Sequence, residues 1–282
     1  GDHQLTTNDY DRLIDFKTLE LGPSLHTSNE GEMVAIKVAK PDHIEALKKE
    51  ARTLSSIHGT AGPSLLLDNS TDPACPLIVM TWVSGQKIQD YNDLSESEIL
   101  DIIAMLLNHL SRVQVVAPLL ILTDTLKPDS IFYDQETKKL TLIDWNVYST
   151  KVGDFFSISL PQIAKLMLDR VGIQQAAELG NYDLVNLFAH ENFKELSIGT
   201  RALVYNLLTE HYQRPRINEA LSAILEDVRA LQHAWARAGH DQPNEDGHNI
   251  FNLDIAERNN TEKSEAYHRA LWQYIVPLVT ES

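Results

Sequence analysis

A single cysteine, Cys75, occurs in the 282 residues. That excludes an internal disulfide framework and points to a reducing compartment. Unbroken apolar runs are short. The longest, around Val113–Leu122, contains Gln114 and Pro118 and falls well below the ~20 residues of a membrane-spanning helix. No basic segment leads into an apolar one at the N-terminus, so no signal peptide is expected. The 11 histidines are scattered. None stands in a Cys/His or His-x-x-x-His grouping, which argues against a structural zinc site. Internal repeats and low-complexity tracts are absent.

Basic residues are also in deficit. Lys and Arg number 24 against 40 Asp and Glu, giving a net charge of −16 and a pI near 5.0. A field of that sign repels phosphate backbones and anionic lipid, so neither nucleic acid nor a membrane surface is an expected partner. The dense acidic patch around Asp241–Asp246 reads as a solubilising surface. What remains is ordinary: 43% hydrophobic and 23% charged residues describe a folded chain, either one large domain or two lobes.

The first ~90 residues read as short strands around one helix, and the rest as mostly helical. Val34-Ala35-Ile36-Lys37-Val38 is short, apolar and β-branched, the pattern of a buried strand. From Pro41 to Ile57 a helical stripe runs through Ile44, Leu47, Ala51, Leu54 and Ile57. Ser64–Leu67 and Pro76–Val83 flank a polar turn and predict a hairpin. Ser95-x-x-Glu98 is a capping box opening a helix with Ile99, Ile102, Ile103, Leu106, Leu107 and Leu110 on one stripe. A second hairpin is expected from Ser130–Tyr133 and Leu140–Ile143, turning through Asp134–Thr137. Helical patterns follow over 154–170, 200–210, 218–238 and 261–278, with a linker-like stretch from Gly239 to Asn249.

In this order the residues resemble a protein kinase. Val34-Ala35-Ile36-Lys37 is similar to the family's third-strand lysine motif. Glu50 stands four residues before Leu54, as the family's helix-C glutamate stands before its spine leucine. Leu77–Gly85 looks like the fifth strand and hinge, with Met80 at the gatekeeper position. Leu126-Lys127-Pro128-Asp129-Ser130-Ile131 resembles the end of the catalytic loop. Leu142-Ile143-Asp144-Trp145-Asn146 stands where the family has its Asp-Phe-Gly strand end. Asp154–Ser157, Leu196–Leu203 and Gln213-Arg214-Pro215 resemble parts of later helices.

The resemblance covers about Leu13–Ala238. It implies an α+β, bilobal kinase-like fold over residues 1–240, with a small strand-rich N-lobe at about 10–84 and a mostly helical C-lobe at about 85–238. Residues 241–282 are expected to form a C-terminal extension with one amphipathic helix. The residues expected to face any nucleotide are Lys37, Glu50, Met80, Thr81, Val83, Ser130 and Asp144, with Asp144 as the one retained metal ligand. ATP or ADP with Mg²⁺ is the ligand such a site would take, although no cofactor is required. Each piece alone also has a plainer reading. Lys37 and Glu50 could be a salt bridge joining strand to helix with no nucleotide at all.

Several parts that phosphoryl transfer needs are missing. Leu21–Ser28 keeps one glycine where the family has three, and Pro23 removes an amide donor. Thr125 occupies the catalytic-base position, where a neutral hydroxyl cannot accept a proton as a carboxylate does; Asp124 is its rival. Ser130 replaces the metal-binding asparagine. Asn146 replaces the glycine after Asp144, and as a residue tolerant of left-handed backbone it is expected to preserve the turn. Trp145 is expected between Leu54 and Thr123. Only ten residues separate Asp144 from Asp154, so no activation segment is expected, and Arg214 lacks the glutamate the family pairs with it.

The losses point away from catalysis. They favour a pseudokinase, a binding, scaffold or allosteric module in signalling, with weak or no ATP binding that is only mildly metal-dependent. A protein partner, a cytoplasmic location and a bacterial source are the accompanying expectations. The alternative is a divergent ATP-dependent phosphotransferase acting on protein or a small molecule, and a third reading is an α+β adaptor. In the tail, Ala266, Ala270, Leu271, Tyr274, Ile275 and Leu278 share a helical face. That face either packs back on the chain or joins a second copy or partner through 261–278.

Overall fold

The computed structural model describes residues 23–27, 33–91, 93–123, 126–173, 187 and 190–238. The expected tail helix, the linker before it, Asp124 and Thr125 lie outside the described residues. The fold is α+β, with small antiparallel sheets. It divides into two compact units. One comprises the described residues up to Asp90 with His109–Thr150, and the other Tyr91–Asn108 with those from Lys151 on.

The first unit is built on a four-stranded sheet of β1 (Pro23–Thr27), β2 (Met33–Val38), β3 (Leu65–Asn69) and β4 (Leu77–Thr81), in the order β1-β2-β4-β3. Val34, Ile36, Leu77 and Val79 form a buried cluster on one face, with Val38, Leu66, Leu67 and Cys75 packed against it. Strand alternation therefore sends Ala35 and Lys37 to the opposite face. Of the segment expected as a degraded phosphate loop, Pro23–Thr27 forms edge strand β1, paired along β2 from Pro23↔Lys37 to Thr27↔Met33, while Leu21, Gly22 and Ser28 lie outside the described residues. Proline is tolerated there because a strand's first residue on a sheet edge can do without a donor.

Helix α1 (Ile44–Ile57) follows a 3₁₀ turn at Pro41–His43. It buries Leu47, Ala51, Leu54 and Ile57 as its stripe requires, and with them Glu50. His58 and Gly59 both turn left-handed to end it (φ 47° and 73°). The 3–4 hairpin forms as expected, with a bulge between Leu65 and Leu67.

Helix α2 (Glu96–Val116) begins on the capping box: Ser95 N–H donates to Glu98 Oε2 at 2.9 Å, and Glu98 N–H to Ser95 Oγ at 3.2 Å. By length and composition this helix could cross a membrane, with half of its most apolar stretch buried. Reading for unbroken runs misses it because Asp101, Asn108, His109 and Arg112 interrupt the apolar residues. The division between the units falls within it, after Asn108.

From there β6 (Ile121–Leu122) leads to the hairpin β7 (Ile131–Asp134) and β8 (Lys139–Leu142), with β5 (Gln86–Lys87) on its edge. Asp134 Oδ1 caps the turn, accepting from the Glu136 and Thr137 amides at 3.1 and 3.0 Å. β9 (Tyr148–Ser149) pairs with β6, so part of the ten-residue link forms a small ribbon.

His109 Nε2 donates to Leu140 O at 3.0 Å. Its Nδ1 is buried with no partner among the described residues, which leaves the ring neutral. Burial, reinforced by nearby Arg112 and opposed by the Leu140 bond, holds its pKa below the usual value. A histidine depressed in the fold is protonated more readily in the unfolded chain, so stability falls as pH drops below about 6.5. His109→Gln, which keeps a donor for Leu140 O, is expected to give a flatter urea midpoint between about pH 7 and pH 5. An unchanged slope would remove His109 as the acid-sensitive group.

In the second unit the run expected as one helix over 154–170 begins with a turn at Val152–Asp154. It widens into a π-helical stretch at Phe155–Ser159 and becomes α3 at Leu160–Arg170. Pro161 has no amide to return to the preceding turn, and Leu160 N–H reaches back to Phe155 O. Helix α4 (Ile198–Leu208) is capped by Ser197 Oγ, which accepts from Thr200 N–H. Helix α5 (Ile217–Ala238) buries Ile217, Ala220, Leu221, Ile224, Val228 and Leu231. A Cβ on Gly199 would fall 2.3 Å from Leu231 Cδ2, so glycine permits this approach of α4 to α5. Arg214 donates to the carbonyls of His211 and Gln213, an alternative use for the guanidinium.

A buried acid ties this unit together. Glu96, 1% exposed, receives Ser197 N–H at 3.1 Å, Ser197 Oγ–H at 2.5 Å and the Thr200 hydroxyl. Burial pulls the Arg201 pKa below its usual value, with the charge of Glu96 working against it. Arg201 Nε has no partner among the described residues.

Candidate functional site

Three separate elements bring charged side chains together in the first unit. β2 supplies Lys37, α1 supplies Glu50, and the turn after β8 supplies Asp144. Lys37 Nζ lies 2.7 Å from Glu50 Oε2 and 3.1 Å from Asp144 Oδ1. Glu50 is 2% exposed, whereas the Asp144 side chain is 46% exposed. The lysine therefore has one carboxylate in the interior and one open to solvent.

Burial works to lower the pKa of Lys37, but the charges and hydrogen bonds of the two carboxylates outweigh it and hold the ammonium above its usual range. For Glu50 burial is the largest influence and pushes the carboxyl up. Lys37 and the Trp145 backbone N–H pull the other way, and Asp144 adds to the rise. Both directions are physically consistent, because the interior penalises the carboxylate while two carboxylates share one cation. The cluster carries a net negative charge.

Asp144 adopts φ +60°. The left-handed residue of this turn is thus Asp144 itself, where the sequence reading placed that conformation at Asn146. The backbone must leave β8 so that Trp145 enters the interior, and aspartate accepts this conformation more readily than most residues. Trp145 is fully buried and its Nε1–H donates to Leu142 O at 2.8 Å. A Cβ on Gly62 would fall 2.5 Å from Nε1, so the glycine makes room for the indole. Leu54 and Thr123, between which Trp145 was expected, are buried as well.

Ser130, almost fully buried, places Oγ 3.5 Å from both Asp144 Oδ2 and Asp129 Oδ1, at the long limit of an O–H···O contact. Its single proton can go to only one of them. Met80 and Thr81 lie on β4, beside the strand that carries Lys37, and pair there with Ala35 and Val34. Thr81 Oγ1 accepts from Ser64 N–H at 2.9 Å, and Val83 lies half-buried just past the strand. The structure thus gathers Lys37, Glu50, Asp144 and Ser130, and sets Met80 and Thr81 on the neighbouring strand with Val83 just beyond its end.

Of the residues expected to face a nucleotide, Asp144 with its carboxylate and Ser130 with its hydroxyl could serve a divalent cation as donors. Mg²⁺ is commonly held by one or two carboxylates plus substrate phosphates. Among the described residues no group of three or more His, Cys, Asp or Glu is placed to hold a metal. Such a donor set suits a cation carried in on a phosphate ligand better than a resident ion.

Lys49 and Tyr148 escape sequence reasoning altogether. Lys49 Nζ lies 3.9 Å from the centroid of the Tyr148 ring, a cation–π contact between residues 99 apart in the chain. Nothing local marks either residue. No family model matches the chain.

Proposed function

We propose that this chain is a bilobal kinase-like domain that has lost catalysis, a pseudokinase serving as a binding, scaffold or allosteric module. The observation that carries the reading is Lys37 held between Glu50 and Asp144, at 2.7 and 3.1 Å. A lysine fixed by a helix glutamate and facing an aspartate at a strand end is the part of a phosphate-handling site that this sequence retains. Ser130 stands where a stronger metal ligand is needed, and β1 pairs in a ladder where a glycine loop would cradle phosphate. A phosphate entering the cluster meets a net negative charge and competes with Asp144 for Lys37. Weak nucleotide binding or none follows, and the role we propose in its place is exercised through a protein partner in cytoplasmic signalling.

Thermal denaturation with ATP or ADP, with and without Mg²⁺, tests this. Ligand at 100 times Kd adds about 2.7 kcal/mol of stability, so a real site cannot hide. The expected result is little or no midpoint shift at sub-millimolar nucleotide, with chelator making little difference. A saturable shift with a low-micromolar midpoint that collapses with chelator would overturn it. ATP-dependent phosphorylation lost in Asp144→Asn would favour the divergent phosphotransferase instead.

A further inference from the structure

We propose that Tyr148 is a positioning residue for Lys37, acting through Lys49 to hold α1 against the stretch that follows Asp144. Two contacts from adjacent residues of α1 grip that stretch. The Lys49 ammonium lies over the Tyr148 ring at 3.9 Å, and Glu50 is joined through the Lys37 ammonium to Asp144, at 2.7 and 3.1 Å, where that stretch begins. Successive helical residues point about 100° apart, so contacts at 49 and 50 fix the rotation of α1 as well as its distance.

The opposite side of the clasp is itself anchored. Tyr148 sits in β9, opposite Leu122 of β6, and Trp145 is fully buried beneath Gly62. Glu50 and Asp144 therefore reach Lys37 from two elements that Lys49 and Tyr148 tie together. Releasing the ring lets α1 rotate and withdraws Glu50 from the ammonium. The proposal concerns how Lys37 is held and stands whether or not a nucleotide enters the site.

The test is the acetylation rate of each lysine in the full chain by an N-hydroxysuccinimide ester, followed by peptide mass spectrometry between about pH 7 and 10. The ester reacts with the free amine, so a lysine held protonated between two carboxylates reacts slowly. Exposed Lys40 is the internal standard, and Lys165, ion-paired with Asp169 in the other unit, reports global loosening. Tyr148→Leu is expected to speed Lys37 several-fold relative to Lys40, move its profile to lower pH and leave Lys165 unchanged. Tyr148→Phe, which keeps the ring, should retain the wild-type rate, and Lys49→Met should reproduce Tyr148→Leu. An unchanged Lys37 in Tyr148→Leu, equal acceleration of Lys37 and Lys165, or failure of Tyr148→Phe to protect would each overturn the proposal.

Discussion

Lys37→Met is expected to lower the unfolding free energy by about 3 kcal/mol near neutral pH, since removing one partner of a buried pair strands the other charge. The stranded group is Glu50, 2% exposed, which loses its 2.7 Å contact with the ammonium. Asp144 suffers less, because half of it already faces water. With its counter-charge gone, burial and the nearby Asp144 carboxylate push the Glu50 carboxyl further up than in the wild type. An acid raised in the fold binds more protons native than unfolded, so the variant loses stability as pH rises through that range and regains it on acidification. Lys37 sets the upper edge: its raised pKa means that its contribution is complete below about 10.5 and disappears as pH climbs through the folded value. The destabilisation should therefore be greatest between the two ranges and shrink at both ends. Urea titrations across pH measure it. Lys37→Met combined with Glu50→Leu should recover most of the loss, because an apolar pair of similar volume often replaces a buried ion pair without penalty. Equal stability of Lys37→Met and wild type at neutral pH would mean that the pair does not form.

The features legible in the sequence are those set by short-range rules. The Ser95–Glu98 capping box needs two residue types at one spacing, and both reciprocal bonds are made. The stripe through Leu47, Ala51, Leu54 and Ile57 fixes which face of α1 is buried. Glu50 lies one turn before Leu54 on that face, which is why a carboxylate enters the interior beside Lys37. Asp144 could be placed only through the resemblance, since 107 residues separate it from Lys37. Three features were not legible. The left-handed residue is Asp144 because Trp145 must turn inward, a demand of the interior that the ranking of Asn146 by propensity does not contain. Strands β6 and β9 are two residues each, too short to show a period. The π-helical stretch before Pro161 depends on where an amide is missing, and a hydrophobic stripe does not record that.

Glu96→Ala is expected to be comparably severe, about 3 kcal/mol or more, because it strands the Ser197 amide and two hydroxyls, each costing about 1–3 kcal/mol when left unsatisfied in the interior. Glu96 opens α2 and Ser197 caps α4, 101 residues on. The carboxylate thus anchors the start of one helix to the start of another, where the exposed amides and the helix dipole favour negative charge. Glu96→Gln should lose less. Its carbonyl still accepts, and the Ser197 or Thr200 hydroxyl can turn to accept from the amide, so mainly the charge assistance disappears. Arg201 then loses the charge that offsets its own burial. Because Ser197 both caps α4 and donates to Glu96, Ser197→Ala removes part of the same network. The double variant Glu96→Ala with Ser197→Ala should therefore be less destabilised than the two single losses combined, by more than the ~0.5 kcal/mol within which independent sites add. Simple additivity would show that the two residues stabilise the unit separately, and the view of Glu96 as the anchor between α2 and α4 would have to be given up.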